Sequence, residues 1–329
     1  MKKGDGRSLT VIIPTWNQRE LLRRCLQSLQ AQTVSCSVLV VDNGSVDSTH
    51  EMVCREFTEC VYLELGGNLG FAKAVNAGIR QTKSPYVALL NNDTEADRRW
   101  VEAGLKALEA YPDYWLFASR MIDYTDRDQL DSAGDCYSRT GLPYKRGLGE
   151  PPAHFPDDEP VMGASAGAAF YRRELFDRIG LFDERYFMYL EDVDLSLRAQ
   201  LAGLPCLYLA EARVYHLEAA SDPDRRTQPA TGPATRRQSF HSSARVYWIT
   251  RNRWLMMITY QPLRHLPWLI YGWTRSLFFH LLRAGFTGAF LRGISAGVTN
   301  SPYAIRKRLS LRKTRRISVK ELWRQMKAC

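Results

Sequence analysis

The chain has 329 residues, 45% hydrophobic and 11% aromatic, enough for a substantial core in one large domain with an appendage or in two domains. Its net charge of +10 conceals a division: from Arg225 onward 21 basic side chains face one acid, Glu321, while the preceding residues hold 24 bases and 34 acids. The seven cysteines (Cys25, Cys36, Cys54, Cys60, Cys136, Cys206 and Cys329) are odd in number and lack metal-site spacing, and the polar residues 1 to 10 lack a signal-peptide core; this reads as a cytosolic protein with reduced thiols and argues against export.

Leu9-Thr10-Val11-Ile12-Ile13-Pro14 is a short β-branched run closed by proline, the pattern of a buried strand in a parallel sheet. Asn17 is placed to cap the next helix, where Leu21, Leu22, Cys25, Leu26 and Leu29 recur at helical spacing. Ser37-Val38-Leu39-Val40-Val41 repeats the strand signal and stops at the polar turn Asp42-Asn43-Gly44-Ser45. A second helix over about 46–57, capped by Asp47, leads to the strand Val61-Tyr62-Leu63, then to Gly66-Gly67-Asn68-Leu69-Gly70 and a third helix. The fourth strand, Pro85 to Leu90, ends at Asn91-Asn92-Asp93. Strands alternating with helices in this way predict an α/β sheet with helices on its faces.

Ligands of such sheets collect outside the carboxyl ends of the strands. Pro14-Thr15, Asp42-Asn43 and Asn91-Asn92-Asp93 are therefore expected to converge on one edge. One polar turn after a strand is ordinary turn chemistry; three, two of them acidic, point to a site.

Further on, Glu191, Asp192 and Asp194 lie within four residues, before the apolar pattern Leu195, Leu197, Leu201 of a helix. Acids at a helix start are stabilised by the macrodipole, and Asp194 can pair with Arg198 one turn on, as on any helix surface. Asp192 follows the aromatics Tyr186, Phe187 and Tyr189 and precedes a strand ending in His216. A carboxylate at the rim of an aromatic cleft can stay ionised at neutral pH and take a proton from an alcohol.

The ordered segments P-T-W-N, V-V-D-N-G-S-V-D-S-T, G-N-L-G-F-A-K-A-V-N-A-G, L-L-N-N-D-T, G-A-A-F-Y-R-R and Y-L-E-D-V-D-L-S-L-R with V-Y-H resemble family-two inverting glycosyltransferases, particularly bacterial rhamnosyltransferases, over roughly residues 8 to 218. The resemblance implies a GT-A fold, a Rossmann-like mixed sheet with helices on both faces. It implies a catalytic domain over 1–220, followed by a linker or lid at 221–243 and a basic, aromatic-rich helical region at 244–329.

By the resemblance, Asp42 accepts the imide N–H of uracil or thymine, as an acceptor-only carboxylate can, with Pro14 and Thr15 lining the base. Asn68, Lys73 and Asn92 are further candidates on the donor, although Lys73 reads somewhat better as a solvated surface charge. A cation, Mg2+ or Mn2+, would bridge the diphosphate oxygens. The family's D-x-D motif stands here as Asn91-Asn92-Asp93, so Asp93 is the retained acid ligand, Asn91 a weaker neutral one and His216 the downstream ligand. Asp192 corresponds to the catalytic base, and Glu191 to an orienting or structural neighbour. Asp131, in a hairpin-like excursion that also holds Arg146, resembles the sugar-facing segment, and Gly163 opens a run small enough for acceptor approach; both are also readable as tight turns.

Residues 221–243, rich in proline and arginine, read as a loop, expected to be a plain linker or else a lid whose Arg225 or Arg226 would contact phosphate. Val246 to Leu291 mixes Trp248, Trp254, Trp268, Trp273, Phe278, Phe279 and Phe286 with Arg251, Arg253, Arg264, Arg275 and Arg283. These arginines interrupt the apolar run before it reaches the ~20 residues needed to cross a bilayer. The mixture predicts helices on an anionic membrane surface at the inner face of the cytoplasmic membrane, with the charges in the headgroup layer. Packing on the catalytic domain or against a second copy is the alternative, and nucleic acid is not expected. The implied partners are a nucleotide-sugar donor and a lipid-linked or polysaccharide acceptor.

Overall fold

The computed structural model describes residues 8–217, 242–282 and 286–325. The residues before Ser8, most of the linker or lid with Arg225 and Arg226, and Arg283 lie outside the described residues.

The N-terminal elements run β1 (Leu9–Thr15), α1 (Arg19–Gln30), β2 (Ser37–Asp42), α2 (Thr49–Glu56), β3 (Val61–Glu64), α3 (Phe71–Gln81) and β4 (Tyr86–Leu90). β1 is buried along its whole length, because its alternating side chains feed two cores. Ile12 joins the core that contains Ala72, Val75 and Ile79 of α3, whereas Leu9, Val11 and Ile13 join the one that contains Leu22, Leu26 and Leu29 of α1. These helices thus cover opposite faces, and the uninterrupted β-branched run is the sequence mark of a strand buried on both sides.

The chain continues through β5 (Thr94–Ala96), α4 (Trp100–Ala110), β6 (Leu116–Asp123), β7 (Leu130–Ser132), β8 (Asp135–Tyr137), β9 (Pro143–Lys145), β10 (Glu159–Val161), β11 (Ala168–Arg172), α5 (Glu174–Ile179), α6 (Glu191–Leu201) and β12 (Cys206–His216). The main sheet has the order β10-β12-β6-β11-β4-β1-β2-β3, with β5 added on β12 and β7 on β6. β1 pairs in parallel with β2 and β4, while β11 runs antiparallel between β4 and β6. β8 and β9 pair separately. Thr15 stands in register with Asp42, and the Asn43 amide donates to the Thr15 carbonyl at 2.8 Å. The expected convergence of polar strand ends is thereby built by parallel register.

Two caps differ from expectation. Asn17 has φ 58 and does not cap α1; its Oδ1 accepts instead from the Val46 amide at 2.9 Å. Asp47 takes that place from a distance, Oδ2 accepting from the Arg19 amide while Oδ1 accepts from the Thr49 hydroxyl. α2 has no side-chain cap of its own. A left-handed turn at Asn17 and Gln18 makes the difference, because it directs Asn17 toward the neighbouring loop.

The chain divides into two compact units, one of residues 1–136, 144–217 and 316–329, the other of 137–143 and 218–315. Within the first, α11 (Val319–Gln325) follows the tail segment in which the Arg316 amide donates to Leu201 O at 2.8 Å. The second contains α7 (Ser243–Tyr260), α8 (Leu266–Leu281), α9 (Thr287–Thr299) and α10 (Ser301–Thr314). Among the described residues no helix is long and apolar enough to cross a membrane. Arg251 and Arg253, expected in a headgroup layer, are instead buried. The Arg253 guanidinium lies 4.6 Å from the Trp273 ring centroid and donates to Ser276 Oγ at 3.0 Å. Burial lowers its pKa to about 10. Arg251 and Arg253 lie two positions apart, on different sides of α7, and the run Thr250 to Arg253 is buried without a break, so packing around the whole helix rather than composition decides which charges reach solvent.

Candidate active site

The base-facing end is built from the β1 and β2 termini. Asp42 is buried, accepting from the Ser45 amide and hydroxyl at Oδ1 and from the Tyr62 hydroxyl at Oδ2. Three donors leave room on a carboxylate, which has about four lone-pair sites, for one more. Asn43 donates to Asn68 Oδ1 at 3.1 Å and accepts from the Leu69 amide at 2.8 Å, tying the β2 turn to the glycine loop. Gly44 permits this approach: at φ +83, a Cβ there would stand 2.5 Å from Gly67 Cα. Asn92 donates to Thr15 Oγ1 at 2.9 Å, so it positions Thr15 and closes the β4 end onto the β1 end, where Pro14 is also buried. Lys73 is exposed, and its charge acts on Glu184.

His216 occupies the last position of β12, opposite Thr94 of β5. Its Nδ1 lies 2.9 Å from Asp131 Oδ2 and its Nε2 lies 3.4 Å from Asp93 Oδ1. Lys145 Nζ completes the chain, 2.7 Å from Asp131 Oδ1. Burial works against a charge on His216, but Asp93 and Asp131 outweigh it and raise its pKa to about 10. Burial likewise opposes a charged Asp131, which Lys145 and His216 overcome, holding it well below the usual carboxylate range.

His216 Nε2 is buried without a hydrogen bond. Cis ligands on a cation with bonds of about 2.1 Å stand roughly 3 Å apart, close to the Asp93–His216 spacing. Asp131 on the other ring nitrogen is the carboxylate that orients metal-binding histidines. Asp93 and His216 would therefore fit a divalent cation as two protein ligands, the cation displacing the Nε2 proton that the neighbouring carboxylates otherwise hold. Asn91 Nδ2 is 3.3 Å from where a Cβ on Gly167 would be, and the Asn91 amide donates to the Gly167 carbonyl at 2.9 Å.

Asp192 sits in the first turn of α6, half buried. Its Oδ2 accepts from the Ala166 amide at 3.1 Å and its Oδ1 from the Val193 amide at 2.8 Å. Burial raises its pKa, opposed by these amides and by Lys145. Glu191 is pushed much further up by burial and by Asp192, and its Oε2 has no hydrogen bond. Asp135 is raised by burial and by Asp192 as well. With amide donors on both oxygens, Asp192 is the member of this trio best suited to carry the charge.

The approach to Asp192 is strained. Phe187, Tyr189 and Leu190 have φ of 60, 66 and 69, each costing about 1–3 kcal/mol where the surroundings enforce it. Phe187 is held by α3: the Ala72 amide donates to its carbonyl at 3.3 Å, and a Cβ on Gly70 would come 2.5 Å from its ring.

Arg146 and Gly163 have structural neighbours of their own. Arg146 turns to Glu159 and lies 4.6 Å from the Phe155 ring, whereas the adjacent Lys145 reaches Asp131. Successive extended residues point to opposite faces, so the two side chains part, and the sequence does not mark which of them meets Asp131. Gly163 is small for the sake of α6: a Cβ there would stand 2.5 Å from Ser196 Oγ. Asp194 and Arg198 do pair, at 2.9 Å, but in the interior rather than on a helix surface.

A mixed sheet with polar strand ends, a carboxylate–histidine pair and a carboxylate on a helix start defines a GT-A nucleotide-sugar transferase. The family model described as Glycosyl transferase family 2 matches residues 10–180. An N-acetylglucosaminyl-diphospho-decaprenol L-rhamnosyltransferase of Mycobacterium tuberculosis is 30% identical over 272 residues, covering 74% of this chain and 85% of that protein. Among solved structures, the mannosyltransferase PcManGT from Pyrobaculum calidifontis in complex with GDP-Man and Mn2+ superposes with TM-score 0.53 at 17% identity, covering 96% of this chain and 87% of that one. S. aureus TarS 1-349 in complex with UDP-GlcNAc gives TM-score 0.56 at 15% identity, covering 97% and 92%. The chain belongs to glycosyl transferase family 2, and it resembles the bacterial rhamnosyltransferases of that family.

Proposed function

We propose that this glycosyltransferase moves L-rhamnose from dTDP-rhamnose to a hydroxyl of a lipid-linked glycan, with inversion, at the inner face of the cytoplasmic membrane. The observation that carries the chemistry is the continuous chain Asp93–His216–Asp131–Lys145, whose lysine also acts on Asp192. The rhamnosyl group and the lipid-linked acceptor rest on likeness to the mycobacterial enzyme, whose name states them; dTDP as its carrier rests on the likeness of the ordered motifs to rhamnosyltransferases.

In this reading Asp42 accepts the imide N–H of thymine with its remaining lone pair, and Thr15, held by Asn92, lines the base. Asp93 and His216 would hold the divalent cation, with Asp131 fixing the imidazole. When bound, Mn2+ or Mg2+ neutralises the diphosphate and makes it a better leaving group. Asp192 takes the proton of the acceptor hydroxyl as that oxygen attacks the anomeric carbon opposite the departing nucleoside diphosphate. One in-line displacement inverts the centre.

Uracil presents the same imide, so the base alone does not separate dTDP-rhamnose from a UDP-hexose. Donor hydrolysis and thermal shift across a panel of nucleotide-sugars, with and without Mn2+, make the distinction. dTDP-rhamnose with Mn2+ is expected to give the largest shift and the fastest hydrolysis; indifference to it, with response to a UDP-hexose, overturns the donor assignment. His216→Ala is expected to abolish the Mn2+-dependent part of the shift while keeping a shift with nucleoside alone.

A further inference from the structure

We infer that the outer stripe of α8 is a bilayer-docking surface for anionic phospholipid. Trp268, Tyr271, Phe278 and Leu282 are all exposed and recur at intervals of three, seven and four along α8 and its C-cap, so they form one stripe. Leu263, 87% exposed, extends it beyond the N-terminus of the helix. The packed side begins at the edge of this stripe and runs away from it: Gly272 and, further round, Leu269 are buried, and a Cβ on Gly272 would stand 2.7 Å from Thr140 O. A helix that turns its apolar stripe outward when it already has a packed face needs an apolar phase to receive that stripe.

The surrounding charge identifies the occupant. Arg275 lies within the stripe and Arg264 at its start, both exposed, and from Ser243 to Thr314 no acid occurs. A second copy of the chain would set this surface against itself in an isologous contact, bringing arginine onto arginine. An anionic bilayer receives both components, ring and aliphatic groups at the acyl boundary and guanidinium groups among the phosphates. The buried Arg251 and Arg253 take no part. The inference rests on the lipid-linked acceptor only for its purpose, because the surface itself is defined by exposure and charge.

The test is co-sedimentation of the full chain with vesicles of phosphatidylglycerol and phosphatidylethanolamine, and separately of phosphatidylcholine. The protein is expected to partition onto the anionic vesicles, more weakly at high salt. Phe278→Glu with Leu282→Glu is expected to weaken partition roughly tenfold or more, and Phe278→Leu to leave it nearly unchanged. The Glu variant keeps donor hydrolysis, which reports the active site independently, so loss of vesicle binding with hydrolysis intact separates this surface from the donor assignment. A parent protein that stays in the supernatant, or a Glu variant that binds as well as the parent, overturns the inference. So does a Glu variant that changes the sedimenting mass of the free protein without changing vesicle binding, since that assigns the stripe to a second copy.

Discussion

Asp192→Asn is expected to reduce turnover by roughly 10²–10⁴-fold, the usual contribution of a general base, with donor affinity nearly unchanged. The amide is close to isosteric, so packing against Ala166 and Val193 survives, but its nitrogen faces a backbone donor and its oxygen cannot take a proton. Since Asp192 carries no nucleotide contact in this reading, calorimetric titration with the nucleoside diphosphate separates lost chemistry from lost binding. A variant with parental turnover would remove Asp192 from the mechanism. Burial also places a sign on the pH profile: because the pKa of Asp192 is raised, the acid limb of kcat/KM is expected above the ordinary carboxylate range, where activity appears as the group loses its proton.

Asp194→Ala is expected to cost about 3–5 kcal/mol of stability, the range for removing one partner of a buried ion pair. Asp194 is fully buried and Arg198 is 7% exposed, their contact being 2.9 Å. Arg198 also donates to the carbonyls of Ile179, Gly180 and Leu181, so it locks α6 to the segment after α5. Without Asp194 the guanidinium keeps those carbonyls but loses its counter-charge in the interior. Denaturant unfolding checks the magnitude. Asp194→Leu with Arg198→Met, which removes both charges, is expected to recover part of the loss. A single variant as stable as the parent would show that the pair lies in solvent. The same lock sets the start of α6, so the single variant is also expected to loosen the strained turn before Asp192.

Much of this was legible beforehand, for identifiable reasons. β-branched runs ending in polar turns marked β1, β2 and β4, since a strand buried on both faces tolerates little else. The likeness of the ordered motifs singled out Asp93, Asp192 and His216. Lys145 was not legible, because a charged residue beside Arg146 carries no mark of which face it occupies until the strand is placed. Asn17 and Asp47 exchanged roles through a left-handed turn that propensity does not foresee. In the C-terminal helices, composition joined arginines that the fold separates into buried ones, Arg251 and Arg253, and exposed ones, Arg264 and Arg275.

The amino-acid sequence by itself determined the alternating α/β plan, the family and the sharp change of charge near residue 225, because these follow from local periodicity, ordered motifs and counting. Only the tertiary structure decided that His216 lies between Asp93 and Asp131, that Asp194 is an interior anchor and that α8 turns its aromatic stripe outward. Those facts depend on contacts between residues as many as 123 positions apart, and no local pattern encodes which distant side chain will supply a charge or remove the water.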